Sequence, residues 1–289
     1  MLQGLIKSLR PRQWIKNVFL LAAIVFDRQL TNMDAVLRTL LGVVIFSLLS
    51  SSIYLLNDIA DLEADRLHPT KRNRPIAKGI LPVKVAVTAA IILILITLIP
   101  AFILSVQFGV ICLVYFLVNL AYSKWLKHLP IIDVMVLASG YVLRVAAGVS
   151  LIVVERFSPW LYVVTTLFAL FVGLGKRRGE LSLLQTENHA HRRVLDGYTI
   201  PFLDQLITIV SSTAIVAYSL YTFSAPNLPE NHTMMLTIPF VLYGVFRYLY
   251  LVQVKLLGSA PEELALSDRP LQITFLLWGL LVLMIFYLS

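Results

Sequence analysis

Cysteine is nearly missing from this 289-residue chain: Cys112 stands alone, inside an apolar window. A single thiol excludes an intramolecular disulfide and most thiolate metal sites. Charge is scarce as well, at 14% of residues, while 58% are hydrophobic and the mean hydropathy is +0.83. A soluble chain of this length would suggest two domains. This composition describes a multi-span membrane protein, with the bilayer replacing the usual core. Acids are fewer than bases, 16 against 24, a net charge of +8. In a soluble protein that surplus would suggest nucleic acid, but here its distribution along the chain points to membrane topology. Ser- or Gly-rich linkers, low-complexity tracts and a convincing internal repeat are all lacking, so residues 1–289 read as one helical domain.

What the chain does have is a series of apolar windows long enough to cross a bilayer, roughly 17 to 25 residues each. They lie at about 35–56, 81–101, 103–122, 131–153, 159–175, 204–223, 234–252 and 270–288, with a shorter one at 14–26, giving nine. The shorter segment follows Lys7, Arg10, Arg12 and Lys16 in the manner of a signal peptide, yet it has no small-x-small cleavage site and ends in Phe26-Asp27. It reads as a retained first helix. With the N-terminus in the cytoplasm, 20 of the 24 Lys and Arg fall on cytoplasmic ends, Arg28, Arg38 and Arg156 outside, and Arg144 within a helix. The expected fold is all-α: a polytopic membrane protein with nine transmembrane helices around a polar cavity that faces the cytoplasm. The internal connections 57–80, 123–130, 176–203 and 253–269 carry nearly all the ionisable residues, and function is expected there.

The densest of these is NDIADLEADRLHPTKRNRPIAKG at 57–79, with four carboxylates and five cationic side chains directly after an apolar span. Asp58, Asp61 and Asp65 are spaced i, i+3 and i+7, so on a helix they share a face and could hold a divalent cation together. Asn57 lies four residues before Asp61 on nearly the same stripe, while Glu63 points elsewhere. The plainer alternative is a solvated helix end whose acids pair with Arg66 and Lys71. Crowding argues for the cation, because three like charges on one face repel each other and Mg²⁺, bridging to phosphates, relieves that well. Arg72-Asn73-Arg74-Pro75 and Lys78 follow, placing guanidiniums in a proline-bounded loop suited to bidentate phosphate contact. A positive-inside anchor for lipid headgroups is the alternative there.

Further along, Tyr122, Lys124, Lys127 and His128 form a short loop before Asp133. Arg144, eleven residues on, returns within about 20° of the Asp133 face and roughly 16 Å deeper, with Gly140 between them. An arginine inside a membrane helix is costly unless paired, which suggests a polar cavity or a structural ion pair. GKRRGE at 175–180 supplies Lys176, Arg177, Arg178 and Glu180, either an anion site or a positive-inside cap. His189 and His191 read as solvated loop residues, because further zinc donors are not apparent. Asp196, Tyr198, Glu262, Glu263, Asp268 and Arg269 are polar but uninformative alone. Trp14, Trp125 and Trp160 lie near expected interfaces, where aromatic belts account for them.

Taken together, these residues resemble the UbiA superfamily of intramembrane prenyltransferases, whose hallmark NDxxDxxxD matches Asn57, Asp58, Asp61 and Asp65. More narrowly, LRPRQWIKN at 9–17 (with Lys16), the whole of 57–79, YSKWLKHLPIID at 122–133, KRRGEL at 176–181 and PEELALSDRPLQ at 261–272 resemble the decaprenyl-phosphate phosphoribosyltransferase branch. One departure stands out: the second aspartate-rich motif usual in the superfamily is here KRRGE, with Glu180 its only acid. The resemblance implies a nine-helix fold and transfer of 5-phosphoribosyl from phosphoribosyl diphosphate (PRPP) to a polyprenyl (decaprenyl) phosphate, as a precursor of cell-envelope pentoses. It implies Mg²⁺ held by Asp58, Asp61 and Asp65, with Asn57 in the same catalytic motif. Lys16, Arg72, Arg74, Lys78, Tyr122, Lys127, Asp133, Arg144, Lys176, Arg177 and Glu180 are the expected substrate-binding residues. The expected partners are PRPP, the polyprenyl phosphate and membrane lipids, with a homo-oligomer open and no nucleic acid. Two other functions stay open at this point. One is prenyl transfer from a polyprenyl diphosphate to an aromatic acceptor, against which the missing second aspartate motif counts. The other is a lipid or small-molecule transporter lined by Arg144, against which the apolar external ends of helices 3, 4, 6 and 9 count.

Overall fold

The computed structural model describes residues 1–67, 71–154, 158–186, 193–225 and 228–287. His189, His191 and Arg156, read above from sequence, lie outside the described residues, as does the side chain of Glu262. The described secondary structure is helical. In chain order it comprises α1 (Leu2–Leu9), a 3-10 helix (Pro11–Leu21), α2 (Ala22–Phe26), α3 (Met33–Ala60), α4 (Leu62–Leu67), α5 (Val83–Leu104), α6 (Val106–Lys124) and α7 (Ile132–Val149). Then come α8 (Pro159–Thr186), α9 (Ile200–Ser224), α10 (Ile238–Gln253), α11 (Pro261–Ser267) and α12 (Arg269–Tyr287), with 3-10 turns at Lys71–Asn73, Leu126–His128, Arg193–Gly197 and Thr233–Thr237.

Eight of these helical stretches are long and apolar enough to cross a membrane. They match the eight longer windows of the sequence, and the chain is an integral multi-pass membrane protein. The short segment at 14–26 takes a different form, a 3-10 helix continuing into the five residues of α2.

Chain contacts divide the molecule into two compact units. The first comprises Met1–Ile24, Gln29–Lys127 and Leu143–Val153. At its centre is α3, the most enclosed of the eight spans. Gly42, Ser47, Ser50, Ser51 and Ser52 give α3 a slim surface along which neighbouring backbones can approach closely. The hydroxyls of Ser50, Ser51 and Ser52 bond carbonyls of their own helix, so none is left bare in an apolar setting. Phe46, Leu49, Ile53, Phe108, Cys112 and Leu20 pack the core. On α5 the small buried residues Ala86, Ala90, Thr97 and Ala101 lie on one side. Ile91, Leu95, Ile99 and Ile103, repeating every four residues, are half or more exposed. In water such a stripe would be an aggregation patch; in lipid it is solvated.

The second unit comprises Val25–Arg28, His128–Val142 and Val154–Ser289. Its core joins Val134, Phe171, Leu174, Leu203, Ile207 and Leu251. Gly173 and Gly179 keep α8 slim: a Cβ on the first would press on Val134, and one on the second would collide with the backbone of Gly258 and Ser259. Asp268 starts α12 by accepting the Leu271 N–H (3.0 Å) and pairing with Arg247 (2.8 Å). The hydrogen bond from Arg247 holds the Asp268 carboxyl below the usual carboxylate range.

Candidate active site

The aspartate motif sits where α3 gives way to α4. Asp61 occupies the junction, at φ −94° and ψ 11°. Its N–H still donates to the Asn57 carbonyl (2.9 Å), and the Asp65 N–H donates to the Asp61 carbonyl (2.8 Å). The i to i+4 bonding therefore runs across the break, and Asp58 and Asp65 stay on one side, each 2% exposed. They meet on a single nitrogen: Arg74 Nη1 lies 2.6 Å from Asp65 Oδ2 and 3.1 Å from Asp58 Oδ1. A second guanidinium reaches the same Asp58 oxygen, Arg10 Nη2 at 2.5 Å. Asp61, partly exposed, accepts instead from Lys127 Nζ at 2.9 Å. The Asn57 Oδ1 atom is buried and has no hydrogen-bond partner among the described residues.

This arrangement refines the expectation of three aspartates on one ion. Asp58 and Asp65 converge and Asp61 departs to Lys127. Among the described residues, no three acidic, histidine or cysteine side chains gather closely enough to hold a metal. Arg74 and Lys127 join the aspartates, whereas Arg72 and Lys78 lie exposed and Lys16 and Tyr122 are half-buried.

Arg10, which the sequence places among the N-terminal cytoplasmic charges and within LRPRQWIKN but which was not among the expected site residues, reaches the aspartates. It adopts a left-handed backbone (φ 53°, ψ 58°), which ends α1 and turns the chain into Pro11. A non-glycine residue there costs on the order of 1–2 kcal/mol, offset by the contact with Asp58 and by the Tyr54 ring 4.9 Å beneath the guanidinium. The rest of the N-terminal motif binds along α3. Trp14 Nε1 donates to Ser51 Oγ (2.9 Å), Ser51 Oγ donates to the Leu9 carbonyl (2.9 Å), and Asn17 Nδ2 donates to Ser47 Oγ (2.9 Å). Trp14 is thus a hydrogen-bonded part of the unit as well as an expected interface residue.

Arg144 is buried in the same unit. Its Nε donates to Asn17 Oδ1 (2.8 Å), its Nη2 to the Tyr115 hydroxyl (2.9 Å), and its guanidinium lies about 5 Å from the Phe46 and Tyr115 rings. These contacts meet the desolvation cost of a cation at membrane depth.

In the second unit, Asp133 and Arg177 form an ion pair (Nε to Oδ2, 2.5 Å) with both side chains wholly excluded from solvent. Arg177 Nη1 also reaches Glu180 at 2.5 Å. The Tyr198 hydroxyl donates to Asp133 Oδ1 and accepts the Ile131 N–H, both at 2.6 Å. Burial, reinforced by the hydrogen bond to Asp133, pushes the Tyr198 phenol above its usual range. Arg178 pairs with Asp204 at 2.6 Å, and Gln253 donates to the same carboxylate at 3.1 Å. A guanidinium as enclosed and engaged as Arg177 does not suit the expected substrate-binding role; it holds Asp133 and Glu180 in position. Lys176, half-buried, lies beside it in the chain.

A family model described as the UbiA prenyltransferase family matches residues 18–258. The chain belongs to that family. The UbiA chain is 36% identical to the decaprenyl-phosphate phosphoribosyltransferase of Mycolicibacterium smegmatis, covering 96% of this chain and 91% of that protein. To the protein of the same name in Mycobacterium tuberculosis it is 35% identical, covering 95% and 91%. Its fold is that of a UbiA homolog from Archaeoglobus fulgidus bound to DMAPP and Mg²⁺, with a TM-score of 0.74 at 18% identity, covering 99% of this chain and 100% of that one. Within this UbiA chain, Asp58 and Asp65 already clasp a positive charge, and the Asn57 oxygen beside them in the motif has no donor among the described residues. That donor chemistry, all hard oxygen, fits a divalent cation such as Mg²⁺.

Proposed function

We propose that this chain transfers a 5-phosphoribosyl group from phosphoribosyl diphosphate to a polyprenyl phosphate such as decaprenyl phosphate, releasing diphosphate at the cytoplasmic face of the membrane. The observation that carries the reading is the buried Asp58–Asp65 pair drawn onto one cationic nitrogen, in a chain matching the phosphoribosyltransferases named above over nearly its whole length. The second motif favours this donor over a prenyl diphosphate, because its one acid, Glu180, is engaged by Arg177.

Mg²⁺ would be held by Asp58 and Asp65, with Asn57 and Asp61 as further oxygen donors. When bound, it would supply the charge that offsets the departing diphosphate. Arg74, Arg10 and Lys127, the cations already on these carboxylates, would bind diphosphate and ribose phosphate oxygens. The bond from ribose C1 to diphosphate breaks, a bond from C1 to a lipid phosphate oxygen forms on the opposite face, and the carbon inverts. A phosphate monoester is largely ionised near neutral pH, its second pKa being about 6, so no protein base is required. The aspartates are therefore assigned to cation binding. Exposed apolar stripes such as the one on α5 would let the polyprenyl tail stay in lipid.

In this reading the segment Pro11–Phe26 makes a ninth crossing. A 3-10 helix rises about 2.0 Å per residue, so that stretch reaches roughly 30 Å, the thickness of the hydrocarbon core. The charge distribution supports a cytoplasmic N-terminus.

The test is to incubate purified protein with radiolabelled phosphoribosyl diphosphate, Mg²⁺ and polyprenyl phosphates. Labelled lipid and free diphosphate are expected, and both should vanish in Asp58→Asn and in Asp61→Asn. Near-normal turnover by both variants would refute the metal role; product formed only from prenyl diphosphates and an aromatic acceptor would assign prenyl transfer instead.

A further inference from the structure

Two carboxylates, Asp58 and Asp65, face two guanidiniums, Arg10 and Arg74, so the buried acids are already charge-balanced. The acids are almost fully enclosed, whereas the side chains of Arg10 and Arg74 are 30% and 26% exposed. Each arginine sits at a junction of the chain: Arg10 at the left-handed turn between α1 and Pro11, Arg74 between a 3-10 turn and Pro75. Either side chain can therefore swing away without disturbing a long helix. A divalent cation on the two carboxylates would satisfy the same charge and leave both guanidiniums unpaired at the rim of the site.

We propose that Arg10 and Arg74 are exchangeable counterions, holding the cation position in the unloaded protein and released on loading as forked phosphate binders, so that cation and anion bind cooperatively. This rests on the divalent-cation site proposed above and adds to it an order of events. Cation alone must compete with two resident guanidiniums. Anion alone must pull them from buried acids, which would strand those charges. Together the ligands exchange partners with no buried charge left bare, and each raises the other's affinity by the same factor. Guanidinium suits both roles, since its planar fork matches carboxylate and phosphate alike.

The experiment uses the full chain in lipid nanodiscs, with Mn²⁺ as the cation probe, read from the paramagnetic resonance of the free ion, and inorganic phosphate as the anion probe. In the wild type, phosphate should tighten Mn²⁺ binding by a factor between about 5 and 150, the usual span of coupling between sites. Arg10→Gln and Arg74→Gln should bind Mn²⁺ more tightly without phosphate and lose most of the gain with it. Arg12→Gln removes one charge from a nearby exposed position and should behave as wild type, separating direct competition from long-range repulsion. Arg74→Lys, milder for folding, should keep the weak binding of Mn²⁺ alone. Should Arg10→Gln and Arg74→Gln match Arg12→Gln, or keep the full phosphate gain, the exchange is overturned, while Mn²⁺ binding abolished by Asp58→Asn would leave the cation site standing. Failure of every form to bind Mn²⁺ would overturn both readings.

Discussion

Asp133 and Arg177 are each wholly buried and bonded to one another, so neutralising either one strands its partner. Removing one member of such a pair costs about 3–5 kcal/mol. Asp133→Asn and Arg177→Met should each lower the unfolding temperature sharply in detergent, whereas the double variant should recover much of the loss. Two single losses that simply add would exclude the pairing as the cause. Neither partner could have been chosen from sequence, where Asp133 lies 44 positions from Arg177 and each reads equally well as a substrate contact. Asp58 and Asp65 were legible because both fall in one local helical motif. Arg10, 48 positions from Asp58, was not, because a basic residue ahead of an apolar segment is first of all a topology signal. Tyr198 carried no signal of its own, and its hydroxyl acquires a role only through Asp133 and the Ile131 amide.

At the scale of elements, the N-terminal 3-10 helix is held against its neighbours by backbone proximity as well as by the hydrogen bonds of Trp14 and Asn17. A Cβ on Gly148 of α7 would run into the carbonyl of Leu20, and a backbone atom cannot rotate aside. Gly148→Ala should therefore displace the 3-10 helix and destabilise the first unit by about 1–3 kcal/mol, as overpacking does, measured by thermal unfolding. A neutral result would mean that the contact yields. The eight long spans were readable because an unbroken apolar run of bilayer length has few other solutions. The first segment, 14–26, was readable as a helix but not in its winding: it is short for an α-helical crossing, and its 3-10 form, with a longer rise, depends on packing against α3. The break at Asp61 was likewise invisible, since the motif's spacing is that of a continuous helix.

For the whole molecule, the proposed orientation follows from the positive-inside distribution and would turn the aspartate site toward the cytoplasm, and the lone buried Cys112 provides a silent background for testing it by labelling. Glu230→Cys, in an exposed turn that the proposed orientation would place on the opposite side, should react with a membrane-impermeant maleimide in intact cells. Arg72→Cys should react only after the membrane is opened. The reverse pattern would invert the proposed orientation. Composition and hydropathy by themselves determined that this chain lives in a membrane, how many long apolar helices it has, and where its acids are concentrated, because those properties depend on neighbours along the chain and on the solvent around it. Only the tertiary structure decided which cation sits on which acid, that Asp61 parts from Asp58 and Asp65, and that Arg177 is sealed inside. Each of those outcomes is a choice among several oppositely charged partners distant in sequence, settled by which side chains packing brings within reach once water is excluded.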